Sequence, residues 1–226
     1  MVRSGEGATG SAGSTRVREL LVACVQATGV DGAGLSLVRH GVSEPVLATD
    51  TVADALELAQ FTLGEGPCVD AAAYGIPVLV SDLQHVGEGH AGRWPVFTPE
   101  ALALGVRAVF AFPLRFGAVS IGAADLYRAR PASLDDAGLS KALTAMDAVA
   151  RTFLDEDGGE GAQGPVPVPL RSLEVHRAAG MVMVQLGVSI DQALARLRAT
   201  AFAEEISVEA LARDVVSRRR RFEETN

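Results

Sequence analysis

Apolar positions change period several times along the chain, and each change marks an element. Val17, Leu20, Leu21 and Cys24 recur at helical spacing and stop at Thr28-Gly29, which predicts a helix over about 15–28. Residues 33–39 alternate and end at His40-Gly41, a strand and turn whose partner strand is 46–49. A helix over 51–60 follows, then a Gly/Pro turn entering a short Ala-rich helix within 64–75. Residues 76–80 read as a strand, 84–93 as a Gly- and His-rich loop, and 99–104 as a short helix. Two strong strands, 106–114 and 118–127, meet at Phe116-Gly117 as a hairpin. A long helix over 135–155 carries Leu139, Leu143, Met146, Val149 and Phe153 on its apolar side.

Strands that mostly pair antiparallel, with helices set to one side, describe an α+β domain. Its first and last helices are expected to pack on each other and on a second copy. Residues 1–14 are Gly/Ser-rich and read as a disordered N-terminus, so this domain runs over 15–155. A Gly/Pro linker occupies 156–169, its Pro-containing end semi-extended.

Beyond the linker every apolar pattern is helical. Val175, Ala179, Val182 and Leu186 form one stripe, which Gly187 stops. Ser189-Ile190-Asp191-Gln192 is a capping box for a second helix with Ile190, Leu194, Leu197 and Ala201 inside. Ser207 caps a third, built on Val208, Leu211 and Val215. The result is an all-α bundle over 170–222, with 223–226 as a tail, small enough to want support from a partner. Met181 and Val184 lie off the main stripe of its first helix, which is therefore apolar on more than one side.

Composition sharpens this division. The chain has 226 residues and a net charge of −8, unlike a protein that coats duplex DNA non-specifically. From residue 171 onward nine Arg face eight acidic residues, so the acidic excess lies in the front half. Two cysteines give no disulfide framework. No stretch approaches the roughly 20 apolar residues of a membrane span, and no secretory signal opens the chain. A cytoplasmic protein without membrane attachment is expected.

Candidate chemistry is sparse. Cys24 reads as a small buried hydrophobe. Cys68 follows a proline near a helix start, where a thiol can be activated, but no motif sets a base or a resolving thiol beside it. His85, Glu88 and His90 match no standard metal spacing. Catalytic residues, metal ligands and cofactors are therefore expected to be absent, and the chain is not read as an enzyme. A small molecule could lie between the sheet and its covering segments, where Asp70, Tyr74, Asp82, Trp94 and Phe97 fall. In the tail, Arg177 points almost opposite its stripe, Arg196 about 130° and Arg213 about 150° from theirs. Arg198 lies about 70° from the core centre, at its flank. Arg218 to Arg221 close the last helix, where they suit its dipole and offer a phosphate footprint.

The tail resembles an ANTAR domain, the three-helix RNA-binding module of bacterial antitermination regulators. The resemblance rests on residues 175–183, Leu186 to Ser189, Ala193, Leu197, Arg198, Ala201, Phe202, Leu211, Ala212 and Val215. Many ANTAR sequences carry Lys where this chain has Ala179, so that basic contact is missing or replaced by Arg177. Residues 64–71, Arg93 to Pro95, Gly105 to Arg107, Phe112 to Leu114 and Ile121 to Ala123 resemble a GAF sensory domain. Together they look like a GAF and ANTAR regulator of actinobacterial type. The resemblance implies a dimer that binds paired RNA stem-loops and prevents a terminator helix from forming. Arg177, Arg196, Arg198 and Arg213 are then the RNA-binding candidates, and Asp70, Tyr74, Trp94 and Phe97 those for a ligand of unknown identity. Alternatives are a DNA-binding regulator with a GAF sensor and a GAF-fold thiol enzyme. The third tail helix offers a DNA groove only Glu209, Arg213 and Asp214, and the thiol enzyme would need Cys24 to resolve Cys68.

Overall fold

A computed structural model describes residues 9–39, 42–85, 93–156, 170–204 and 206–223. Glu88, His90 and the linker over 157–169 lie outside the described residues. The chain divides into two compact units, one built on the sheet and the other on the C-terminal helices.

The first unit is built on a five-stranded sheet of order β2-β1-β5-β4-β3, every pair antiparallel. The strands are β1 (Gly32–Arg39), β2 (Val42–Ala48), β3 (Val78–Val80), β4 (Ala108–Phe116) and β5 (Val119–Arg128). Its helices are α1 (Thr9–Thr28), α2 (Thr51–Leu63), α3 (Pro67–Tyr74), α4 (Phe97–Ala103) and α5 (Asp136–Glu156). A 3-10 turn at Leu83–His85 stands in what the composition suggested was loop.

Side-chain alternation gives the sheet two different faces. Leu35, Leu37, Phe110, Phe112, Leu114, Ala124 and Leu126 point one way and meet Val17, Leu21 and Cys24 of α1 with Ala142, Met146, Val149 and Phe153 of α5. Residues between them point the other way, toward α2 and α3, and Glu57 and Gln60 of α2 reach Gly34 and Asp125. Helices therefore cover both faces, not one as the element order suggested. An α+β chain with a central antiparallel sheet has two faces to bury, and each can be covered only by its own helices.

Three further differences have local causes. Helix α1 starts at Thr9, inside the segment composition marks as disordered. A helix anchored by a packed stripe extends cheaply, because each added residue gains a hydrogen bond once nucleation is done. Strand β2 starts at Val42 rather than 46, running through Pro45. As the edge strand it has one unpaired side, and the register slips between Leu35 and Ser36 so that Pro45 faces Ser36. Leu143, placed on the buried side of α5 by its period, is 44% exposed.

The second unit holds α6 (Leu170–Leu186), α7 (Ile190–Ala203) and α8 (Val208–Val216). Its core is the expected stripe set except Ile190, which is only partly buried at the first turn of α7: Val175, Ala179, Val182, Leu186, Leu194, Leu197, Ala201, Val208, Leu211 and Val215 are all buried. Ser189 accepts from the Gln192 N–H at 3.2 Å and Gln192 Oε1 accepts from the Ser189 N–H at 3.0 Å, closing the capping box. Ser207 caps α8 through the Ala210 N–H at 3.1 Å.

Leu126 is fully buried at the centre of the sheet and Val119 is 62% exposed at the start of the same strand. Leu126→Ala should cost about 2–5 kcal/mol, whereas Val119→Ala should stay within about 0.5 kcal/mol. Urea unfolding followed by fluorescence of Trp94, the single tryptophan, measures both in the first unit.

Candidate functional site

Two regions carry functional side chains: the α2/α3 face of the sheet and the surface of the helical bundle.

On the sheet face, the Gly64 to Pro67 turn organises its surroundings. Glu65 Oε1 accepts from the backbone N–H groups of Val96 and Phe97, at 2.7 and 2.8 Å, and so holds the start of α4. Asp70 accepts from Arg93 Nε at 2.9 Å and from the Trp94 indole N–H at 3.0 Å. Arg93 lies over the Trp94 ring at 4.7 Å, and Trp94 meets Phe97 edge-on with centroids 6.3 Å apart. These contacts keep Trp94 at φ 60°, a left-handed conformation costly for a bulky residue. Asp70, Trp94 and Phe97 are thus brought together as a tie between α3 and the segment entering α4. Tyr74 is not part of it; its side chain is 69% exposed. Asp82 forms a separate tie with Arg107 at 3.0 Å and His85 at 2.9 Å.

Beneath that tie lies a cluster that sequence reasoning did not single out. Asp125 of β5 stands in register with Gly34 of β1 and Ala111 of β4, two small neighbours that leave room beside it. Glu57 of α2 lies over Gly34, where a Cβ would come within 2.4 Å of its Cγ. Ser36 donates to Glu57 Oε2, and Gln60 donates to Asp125 Oδ2 while its Oε1 accepts from the Cys68 N–H at 2.7 Å. Glu57, Cys68 and Asp125 are all buried, and one ligating atom from each lies within 4.8 Å of the others.

Burial raises all three groups from their ordinary ranges, and mutual repulsion adds to it for Glu57 and Cys68. Asp125 is pushed up to about 7 by burial, opposed by its bonds to Gln60 and Glu57. The Cys68 thiol is thereby held protonated and is a poor nucleophile. Cys24 lies in the apolar layer on the other face of the sheet, its thiol pushed up to about 11 by burial. The signal in the sequence was Asp125 itself, an acid inside the run 121–127. Alternation alone sends it to the face opposite Leu126, but not into contact with Glu57 and Cys68.

On the bundle, Arg177, Arg196 and Arg213 are exposed as their helical angles require, and Arg198 is half-buried. Arg177 borders an open groove of about 510 Å³ that Gly180, Met181, Val184, Gln185 and Val216 complete. Arg213 lies one turn before Val216 on α8. Neither Arg196 nor Arg198 lines this groove. The run Arg218 to Arg221 does not close the last helix: α8 ends at Val216 with Ser217 as its C-cap, and Arg218 turns left-handed at φ 60°. Arg219 pairs with Asp214 at 2.6 Å and Arg220 pairs with Glu204. Ion pairing to acids on the bundle itself draws these two side chains back onto it.

Comparison with known families decides what these units are. Family models for the GAF domain match residues 14–153, and for the ANTAR domain residues 173–216. The chain belongs to the GAF-domain family and carries an ANTAR domain behind it. This GAF–ANTAR protein therefore joins a sensor-class domain to one of the RNA-binding regulatory class. No curated protein matches it. Among solved structures it is similar to the GAF domain region of a protein from Geobacter sulfurreducens PCA, at 15% identity and TM-score 0.53, covering 64% of this chain and 95% of that one. It is similar to type II free methionine-R-sulfoxide reductase from Thermoplasma acidophilum, at 15% identity and TM-score 0.50, covering 64% and 94%. A third is the GAF domain of a phosphoenolpyruvate-protein phosphotransferase from Coxiella burnetii, at 13% identity and TM-score 0.50, covering 65% and 84%. At these identities the likeness shows the GAF fold alone.

The buried acids make a pH prediction. As pH rises from 3.8 toward about 7, folded Asp125 keeps a proton that the unfolded chain has released, so stability should fall through that window. Asp125→Asn has no such proton and should flatten the fall. Urea titrations at a series of pH values, in chelator-containing buffer, compare the two slopes; parallel slopes would remove Asp125 from the account.

Proposed function

We propose that this GAF–ANTAR protein is a signal-responsive RNA-binding regulator that controls transcription termination by binding paired stem-loops in nascent RNA. The observation that carries the reading is the ANTAR match over 173–216, on a bundle whose apolar stripes fill its core while Arg177, Arg196 and Arg213 stand in solvent. Exposed guanidinium groups suit phosphates and the unstacked bases of RNA loops. The groove beside Arg177 adds an apolar floor of Met181, Val184 and Val216. Arg198, half-buried at the flank of α7 with its guanidinium desolvated by burial, is the weakest of the four arginine candidates in this reading.

A homodimer belongs to this reading, since two bundles hold two hairpins and the second contact gains effective concentration. Val184 at 76% exposure and Met183 at 37% leave α6 with apolar surface for a second copy or for RNA. The sensor half answers to a small-molecule effector. Such a ligand acts by loosening the tie among Asp70, Trp94 and Phe97, which Trp94 fluorescence would report. The thiol-enzyme reading is disfavoured by a buried, protonated Cys68 with Cys24 on the opposite sheet face.

The test is the full-length Arg177→Ala, Arg196→Ala, Arg213→Ala variant in a filter-binding titration with a tandem-hairpin RNA. Each charge-assisted contact should contribute on the order of 1–3 kcal/mol, and the salt dependence should become shallower. Unchanged affinity with an intact circular-dichroism spectrum would remove these residues from the interface.

A further inference from the structure

The cluster beneath the Gly64 to Pro67 turn is not used by the RNA-binding reading, and its geometry needs an explanation of its own. Glu57, Cys68 and Asp125 are each 1% exposed and come from α2, α3 and β5. Each carboxylate has one oxygen held by a neutral donor, Ser36 on Glu57 Oε2 and Gln60 on Asp125 Oδ2. The other oxygens, Glu57 Oε1 and Asp125 Oδ1, are fully buried and meet no N–H or hydroxyl donor, only the neighbouring acid. Buried polar atoms are nearly always paired, so these two oxygens beside a thiol call for a proton shared between the carboxyls or for a cation in its place. Among the described residues, no salt bridge to Lys, Arg or His joins Glu57 or Asp125.

We propose that Glu57, Cys68 and Asp125 form a mononuclear site for a divalent transition-metal cation of the Zn²⁺ class.

Ligand type selects the metal. A thiolate with two carboxylates suits a borderline cation such as Zn²⁺, whereas Mg²⁺ and Ca²⁺ take oxygen ligands alone. Three protein ligands leave a fourth tetrahedral position for water or another small ligand, the pattern of an open site rather than a purely structural one. The cation replaces protons: as it enters, the thiol and any protonated carboxyl release theirs to solvent. Ser36 and Gln60 then act as outer partners, each holding one oxygen of a ligating carboxylate and so fixing its orientation. Gln60 does this twice over, since its Oε1 also holds the Cys68 N–H at 2.7 Å.

The backbone is shaped around these groups. A Cβ at Gly34 would stand 2.5 Å from Glu57 Oε1, and one at Gly66 would stand 2.4 Å from Gln60 Oε1. Gly66 also takes φ 139°, a conformation side chains rarely adopt. Metal binding would thus couple the centre of the sheet to α2, α3 and the turn before α3. That proposal stands whether or not the bundle binds RNA.

The experiment uses the full chain, stripped with a chelator and titrated with Co²⁺ as a spectroscopic probe. The wild type should take up a single cobalt ion per chain with a thiolate-to-cobalt charge-transfer band, and Zn²⁺ should abolish the band by displacement. Cys24→Ser should keep the band and Cys68→Ser should lose it. Ser36→Ala, which removes an outer partner and no ligand, should weaken affinity about 10- to 100-fold while the band remains. The wild type supplies a check that needs no variant: its melting temperature should rise when Zn²⁺ replaces chelator. A folded wild type with neither band nor melting shift overturns the proposal and leaves protons alone to neutralise the cluster. So does a band that survives in Cys68→Ser.

Discussion

The sensor half depends on β5 lying between β1 and β4 with its two faces in different surroundings. Ala124 and Leu126 enter an apolar layer shared with α1 and α5, while Asp125 enters the polar cluster on the other side. A slip of one residue would exchange these faces and send an acid into the apolar layer. The register is held on both sides, by Gly34 opposite Asp125 on β1 and Ala111 opposite it on β4. Gly122, three residues earlier on β5, fixes it further: a Cβ there would run into the Ser36 carbonyl oxygen. Small residues at these positions place a charge-bearing group where bulk would normally be.

From that register the rest of the sensor face follows. Glu57 and Gln60 are one turn apart on α2, so both reach down to the same patch of sheet. Gln60 then bridges to the Cys68 backbone and positions α3, and the turn before α3 carries Glu65, which anchors α4. Polar groups with few alternative partners thus link four elements in series. Such a chain is sensitive to anything that changes the charge at its inner end, a property that suits a sensory domain.

Much of the fold was legible because periodicity is a local property. The three tail helices, their stripes and the Ser189 capping box follow from spacing alone, and the structure places them accordingly. The β4–β5 hairpin is equally local. What sequence reading missed depends on tertiary neighbours. Pro45 looks like the end of a strand until β2 is known to be an edge. Arg219 and Arg220 look like a basic footprint until Asp214 and Glu204 are seen beside them. Trp94 and Asp70 fall on covering segments as expected, yet Asp70 is spent on Arg93 and Trp94. The acid–thiol cluster was hidden because its members are separated by as many as 68 positions and no short motif joins them.

The regulatory reading rests on a bundle that keeps its core apolar and its arginines outward, and on two such bundles acting together. The most direct measurement is competition binding by the full chain at fixed salt, with tandem-hairpin RNA, a single hairpin and duplex DNA of equal length as competitors. The account predicts that tandem hairpins compete best, single hairpins more weakly, and duplex DNA least. Equal competition by all three would contradict it, because the protein would then be reading phosphate charge alone.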